Sequence, residues 1–84
     1  MLEYFITFRS VTRAQQAMAA LRRSGIYALM DRIPLELSSG GCGYGVYVRE
    51  ADYALASSIL RQERILFERI FRFGRDRQAR EVFA

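Results

Sequence analysis

The period of the hydrophobic pattern changes abruptly after residue 8, and that change constrains the chain more than any other feature. Residues 2–8, LEYFITF, alternate strictly. Leu2, Tyr4, Ile6 and Phe8 lie on one side, and Glu3, Phe5 and Thr7 on the other. Period two with aromatic and β-branched residues is the pattern of a strand. From Val11 the apolar residues recur as Val11, Ala14, Ala17, Met18 and Leu21, one stripe of a helix that ends near Arg23 and stops at Gly25. Ser10 or Thr12 offers its N-cap, and Thr12 to Gln15 fits a capping box.

The remaining elements follow the same logic. Residues 26–33 read as a second strand closed by Pro34, and residues 38–43, SSGGCG, as a flexible loop. Residues 44–49, YGVYVR, form a third strand whose Tyr44, Val46 and Val48 share the core side. Residues 50–62 form a second helix with Ala51, Leu55, Ser58 and Ile59 inward, and residues 65–73 a fourth strand of poorer alternation. In a chain of 84 residues this is one domain, residues 1–73, followed by an arginine-rich tail, 74–84, that is helical or frayed. The order β-α-β-β-α-β predicts an α+β ferredoxin-like sandwich, a four-stranded antiparallel sheet with both helices on one face. Its first two strands run parallel. The loop between strands two and three then lies at the edge where the first helix begins, beside Arg9, Ser10 and the amides around Thr12, with Arg61 and Arg64 in range.

Composition removes whole classes of chemistry. There is no histidine, which excludes His-based acid–base catalysis, Ser–His triads and His-ligated metals. One cysteine makes neither an internal disulfide nor a four-cysteine zinc site, and the scattered acids have no ligand spacing, so no metal or cofactor is expected. Apolar runs fall short of the ~20 residues that span a bilayer. No charged-then-apolar leader opens the chain, so a cytoplasmic, reducing setting is expected, with no membrane partner. All thirteen basic residues are arginine, against nine acids, giving a net charge of +4. Guanidinium forks suit phosphate, carboxylate and aromatic faces.

The one cysteine, Cys42, stands between Gly41 and Gly43 at the end of a Ser/Gly run. A free cysteine is commonly a small buried hydrophobe, but a core residue sits in an apolar periodic stretch, and this one does not. Flanking glycines strip side chains from the backbone and let successive N–H groups turn toward one anion. Amides, a nearby helix N-terminus and arginines all favour a thiolate, the form that reacts. Without a histidine base such a thiol suits a carrier or binding protein rather than a stand-alone enzyme, one that accepts an atom and passes it on by thiol exchange. Cys42 is therefore the candidate acceptor, Gly41 and Gly43 the amide donors, and Arg9, Ser10 and Arg64 candidate anion contacts.

The stretch from Ile33-Pro34 through Ser38-Ser39 to Gly41-Cys42-Gly43, followed by a short apolar strand, resembles the selenium/sulfur carrier-like family. The opening YFITFRS, the alanine-rich first helix and the Gly25 stop resemble it too, so the likeness covers residues 2–73. The resemblance implies a small α/β domain whose Cys42 holds a persulfide or perselenide, with a donor enzyme such as a cysteine desulfurase as partner.

A different class shares the same element order. RNA-recognition motifs carry a basic-Gly-aromatic-Gly run on the third strand, and Gly43, Tyr44 and Gly45 fit part of it. Stacking would use the aromatics facing away from the helices, Phe5 and Tyr47. The same open face, with these two residues at its centre, is the candidate interface for a homodimer or another protein partner. Nucleic acid is the weaker alternative.

Overall fold

A computed structural model describes residues 2–38 and 43–83. The elements are β1 (Leu2–Phe8), α1 (Val11–Arg23), β2 (Ala28–Arg32), a 3₁₀ turn (Leu35–Leu37), β3 (Tyr44–Arg49), α2 (Glu50–Gln62), β4 (Ile70–Phe73) and β5 (Ala79–Val82). The strands form one sheet in the order β2-β3-β1-β4-β5, and every neighbouring pair is antiparallel. β1 and β2 both run opposite to β3 and hence parallel to each other, as the sequence requires.

The core lies between the helices and one sheet face. Ile6, Phe8, Ala28, Val46 and Val48 are buried there with Ala14, Ala17, Ala20 and Leu21 of α1 and Ala56, Ile59 and Leu60 of α2. Three small alanines let the α1 backbone approach the sheet. Leu21 and Leu60, fully buried, each contribute about 2 kcal/mol of apolar burial.

Local chemistry sets the helix ends. Ser10 is the N-cap of α1, its hydroxyl accepting from the Arg13 amide at 3.2 Å. Thr12 is already inside the helix, so its capping box is not used. Both helices close in Schellman geometry. Ile26 donates to Leu21 across Gly25 (φ 79°), and Ile65 donates to Leu60 across Arg64 (φ 57°).

Four expectations are corrected. The four-stranded ferredoxin-like sandwich becomes a five-stranded sheet, because part of the tail, expected as helical or frayed, is β5. The turn before it is tied by Gly74 N to Gln78 O (3.1 Å), Arg77 N to Gly74 O (3.0 Å) and Gln78 N to the Asp76 carboxylate (3.1 Å), which aims the chain back along β4. The fourth strand begins at Ile70 rather than residue 65. Before it, the chain meets β1 at Thr7, whose amide donates to Arg69 O and whose carbonyl accepts from Glu68 N, both at 2.8 Å.

The third correction concerns α2, which turns a different face inward. Ala56, Ser57, Ile59 and Leu60 are buried, whereas Ala51 and Ser58 are exposed and Leu55 is 54% exposed. Tyr53 stacks on Tyr4 of β1 with ring centroids 4.0 Å apart, which rotates the helix. Ser57 tolerates burial because its hydroxyl donates to Ala54 O at 3.1 Å.

Finally, the sheet face opposite the helices is not open at its centre. Phe5 is fully buried and Thr7 nearly so, while Tyr47 is half-buried. The row across this face is Leu29, Tyr47, Phe5, Phe71 and Glu81, each opposite the next. The Phe5 ring sits in the notch left by Gly45 and packs on Tyr47 with centroids 4.3 Å apart. Phe5 therefore belongs to a second apolar layer within the chain, and neither a stacking platform nor an interface can use it as it stands.

Candidate functional site

The β2–β3 connection carries the candidate site. β2 ends at Arg32, opposite Tyr44, and Tyr44 is opposite Phe8 at the end of β1. Just beyond, Ile33 N donates to Gly43 O at 3.0 Å and closes the base of the loop. Gly43 packs closely here: a Cβ there would lie 2.6 Å from Ile33 Cδ1, the movable tip of that side chain, and at ordinary contact distance, 3.5 Å, from the Phe8 carbonyl. The base of the loop thus rests against the strand that leads into Arg9 and Ser10.

From this base the chain turns through Pro34 into the 3₁₀ turn, held by Leu37 N to Pro34 O (2.9 Å) and Ser38 N to Leu35 O (3.2 Å). The turn is fastened to the other side of the sheet. Arg69 Nη1 donates to Leu37 O at 3.2 Å. The same guanidinium donates through Nε (3.2 Å) and Nη2 (2.8 Å) to Glu81 of β5 and lies 4.8 Å over the Phe71 ring. Arg69 is also bound through its backbone, its amide donating to Thr7 Oγ1 at 3.0 Å. The Arg69 hydrogen bond holds the Glu81 carboxyl below the usual carboxylate range, and the same bond pushes the guanidinium further up. Leu35, in the same turn, points outward and is 90% exposed.

Beside the turn lies an open groove of about 400 Å³, bordered by Pro34, Leu37, Phe73 and Gln78. Tyr47, on the covered face, has its hydroxyl pushed up by burial and secondarily by the Asp31 carboxylate.

Cys42 and Gly41 lie outside the described residues. Of the other site candidates, Gly43 supplies the carbonyl that closes the loop. Arg9 is 3.2 Å from Glu68 in an exposed ion pair, and Ser10 caps α1. Arg64 is exposed at the end of α2 in a left-handed conformation. Gly43 meets the Phe8 carbonyl, so the loop base and the Arg9–Ser10 segment share one edge of the sheet. Sequence reasoning missed Arg69, Glu81 and Gly45. Only Gly45 carried a signal, as part of the Gly43-Tyr44-Gly45 run.

Among the described residues no group of His, Cys, Asp and Glu could hold a metal ion, and no helix is long and apolar enough to cross a membrane. No curated protein and no solved structure matches the chain. Residues 3–72 match the model of a family described as "Putative Se/S carrier protein-like"; β5 lies beyond the matched span.

Proposed function

The chain belongs to this Se/S carrier protein-like family, and from that we propose that it carries sulfur or selenium on Cys42. The observation that supports this reading is the family match itself, whose span contains the chain's one cysteine in a glycine-flanked segment. A carrier needs a nucleophilic thiolate and little else, in keeping with a chain that has no histidine to act as base.

The step is a thiol exchange. The Cys42 thiolate attacks the outer sulfur of a persulfide on a donor enzyme, such as a cysteine desulfurase. A new S–S bond forms at Cys42, the donor's S–S bond breaks, and the electron pair leaves on the donor thiolate. The outer atom moves with its proton, so there is no net redox change. Selenium follows the same course from a donor perselenide. Glycines at 41 and 43 put no side chain on either neighbour of Cys42, in keeping with a sulfur that a donor has to reach.

Intact-mass measurement after incubation with a cysteine desulfurase and cysteine tests the proposal. The wild-type chain gains one sulfur atom and Cys42→Ser gains none. A wild-type chain without the adduct, or an equal adduct on the serine variant, ends it.

A further inference from the structure

The two edges of the sheet differ, and the carrier reading uses neither. On β2, the bond from Ile33 N to Gly43 O sets the alternation, so Ala28, Met30 and Arg32 turn their main-chain groups outward. Side chains occupy much of this edge. Arg22 Nη2 donates to the outward Ala28 carbonyl at 3.2 Å, and the outward Arg32 amide donates to the Asp31 carboxylate at 2.7 Å. Edge groups taken up in this way oppose the addition of another strand. On β5, the bond from Gly74 N to Gln78 O sets the alternation, so Ala79 and Glu81 turn their N–H and C=O away from β4. Nothing among the described residues bonds to these outward groups.

Each face beside the β5 edge has its own chemical preference. On the face away from the helices, the groove of about 400 Å³ reaches this edge, because Ala79 lines it with Pro34, Leu37 and Phe73. Glu36 lines it too, which favours an apolar side chain there over an acid. On the helix face, Arg72 of β4 and Arg80 of β5 are direct cross-strand neighbours of like charge. Each is paired only with an exposed carboxylate, Glu50 at 3.4 Å and Asp76 at 3.3 Å. In the turn between the strands, Arg75 and Arg77 are exposed and have no ion pair among the described residues. Residues 69–83 hold five arginines and two acids, a surplus of three in a chain of net charge +4.

We propose that the β5 edge binds an extended segment of a partner protein in which acidic and apolar residues alternate. The segment adds as a sixth strand. Its main chain bonds to Ala79 and Glu81, its apolar side chains lie over the groove, and its acids lie beside Arg80 on the helix face. A second copy of this chain fits the edge poorly, since it would bring another hairpin with the same positive surplus against this one. A nucleic acid strand would engage the arginines but leave the outward N–H and C=O groups of β5 unpaired. The surface does not involve the cysteine loop, so it stands or falls independently of sulfur transfer.

The probe is a capped peptide of about six residues, the usual length of a strand, in which glutamate and valine alternate. The same peptide with lysine in place of glutamate is the comparison. NMR at low salt follows the amides of Ala79 and Glu81. The glutamate peptide shifts both saturably and slows their hydrogen exchange, and the amides of Met30 and Arg32 on the other edge do not respond. Ala79→Pro removes an outward N–H that pairing with β4 does not use, and it abolishes binding. Arg75→Gln combined with Arg77→Asn weakens binding about three- to tenfold. Asparagine is chosen because Arg77 has φ 61°. This double variant carries the test alone if Ala79→Pro does not fold. Arg23→Gln, which removes an exposed ion pair to Glu63 on the helices, leaves binding unchanged. Unresponsive Ala79 and Glu81 amides, or equal binding of the lysine peptide, overturn the proposal. So does slowed exchange at these amides on raising the protein concentration alone, which assigns the edge to a second copy. A response of the same amides to single-stranded RNA but not to the glutamate peptide assigns it to nucleic acid and overturns the proposal as well.

Discussion

The ring of Phe5 occupies the space that a side chain at Gly45 would need: a Cβ there would lie 2.3 Å from Phe5 Cζ. The two residues sit on neighbouring antiparallel strands, with Gly45 opposite Thr7 and Phe5 opposite Tyr47. The missing side chain on β3 is thus what lets the aromatic of β1 lie down and close the second face of the sheet. Gly45→Ala should force the ring out and destabilise the fold by about 1–3 kcal/mol, the range for overpacking. Urea unfolding checks this, and an unchanged midpoint would mean that the ring has another place to go.

Arg64 occupies the left-handed position that Gly25 fills at the end of the other helix. A residue with a Cβ is strained there by about 1 kcal/mol or more. Arg64→Gly should relieve that strain and raise stability by on the order of 0.5–1 kcal/mol, the gain being reduced by the freer unfolded chain. Thermal unfolding measures it. If Arg64 also contacts the anionic site, the same variant loads less sulfur while being more stable, so the two roles separate in one protein.

Ser10 has a capping bond to Arg13 N. Ser10→Ala should cost about 1 kcal/mol, whereas Ser10→Asp should keep the cap and suit the helix dipole. A loss of stability in the alanine variant, with sulfur loading unaffected, would assign Ser10 to the helix rather than to the thiol. Equal stability of the two variants would remove the capping role.

Acid should loosen the β4–β5 hairpin. Glu81 is held below its usual range chiefly by its bond from Arg69, and Asp76 is held low first by the Gln78 amide and then by Arg80. A carboxylate whose folded pKa is depressed adds stability that is complete above its unfolded value and disappears as pH falls through the folded one. Stability should therefore decline below the ordinary carboxylate range, about pH 4. Glu81→Gln should flatten that decline. Unfolding midpoints measured from neutral to acid pH test the sign, and a Glu81→Gln protein with the wild-type acid slope would contradict it.

Much of the fold was legible where the signal is local. The alternation of residues 2–8 gave β1, residues 44–49 and 50–62 are the observed limits of β3 and α2, and Gly25 is the observed helix stop. What stayed hidden depends on contacts between distant segments. Ala79–Val82 becomes a strand because β4 offers its edge and the Asp76 turn reverses the chain, and neither is visible in four residues read alone. The inward face of α2 is set by Tyr53 stacking on Tyr4, and helical spacing cannot foresee a partner on another element. Alternation alone puts Phe5 and Tyr47 on the face away from the helices, but it carries no sign of their burial, which depends on the Gly45 notch and the Arg69 guanidinium over Phe71. At the candidate site, the edge shared by the loop base and β1 followed from strand order alone, whereas the Arg69 link to Leu37 required the register of β5.

The most direct measurement is the pH dependence of Cys42 alkylation in the folded protein. The account predicts fast modification without denaturant, with the thiol titrating below the ~8.5 of a free cysteine. A thiol that resists alkylation until the chain unfolds, or that titrates above that value, would contradict the claim that Cys42 is presented as a reactive sulfur.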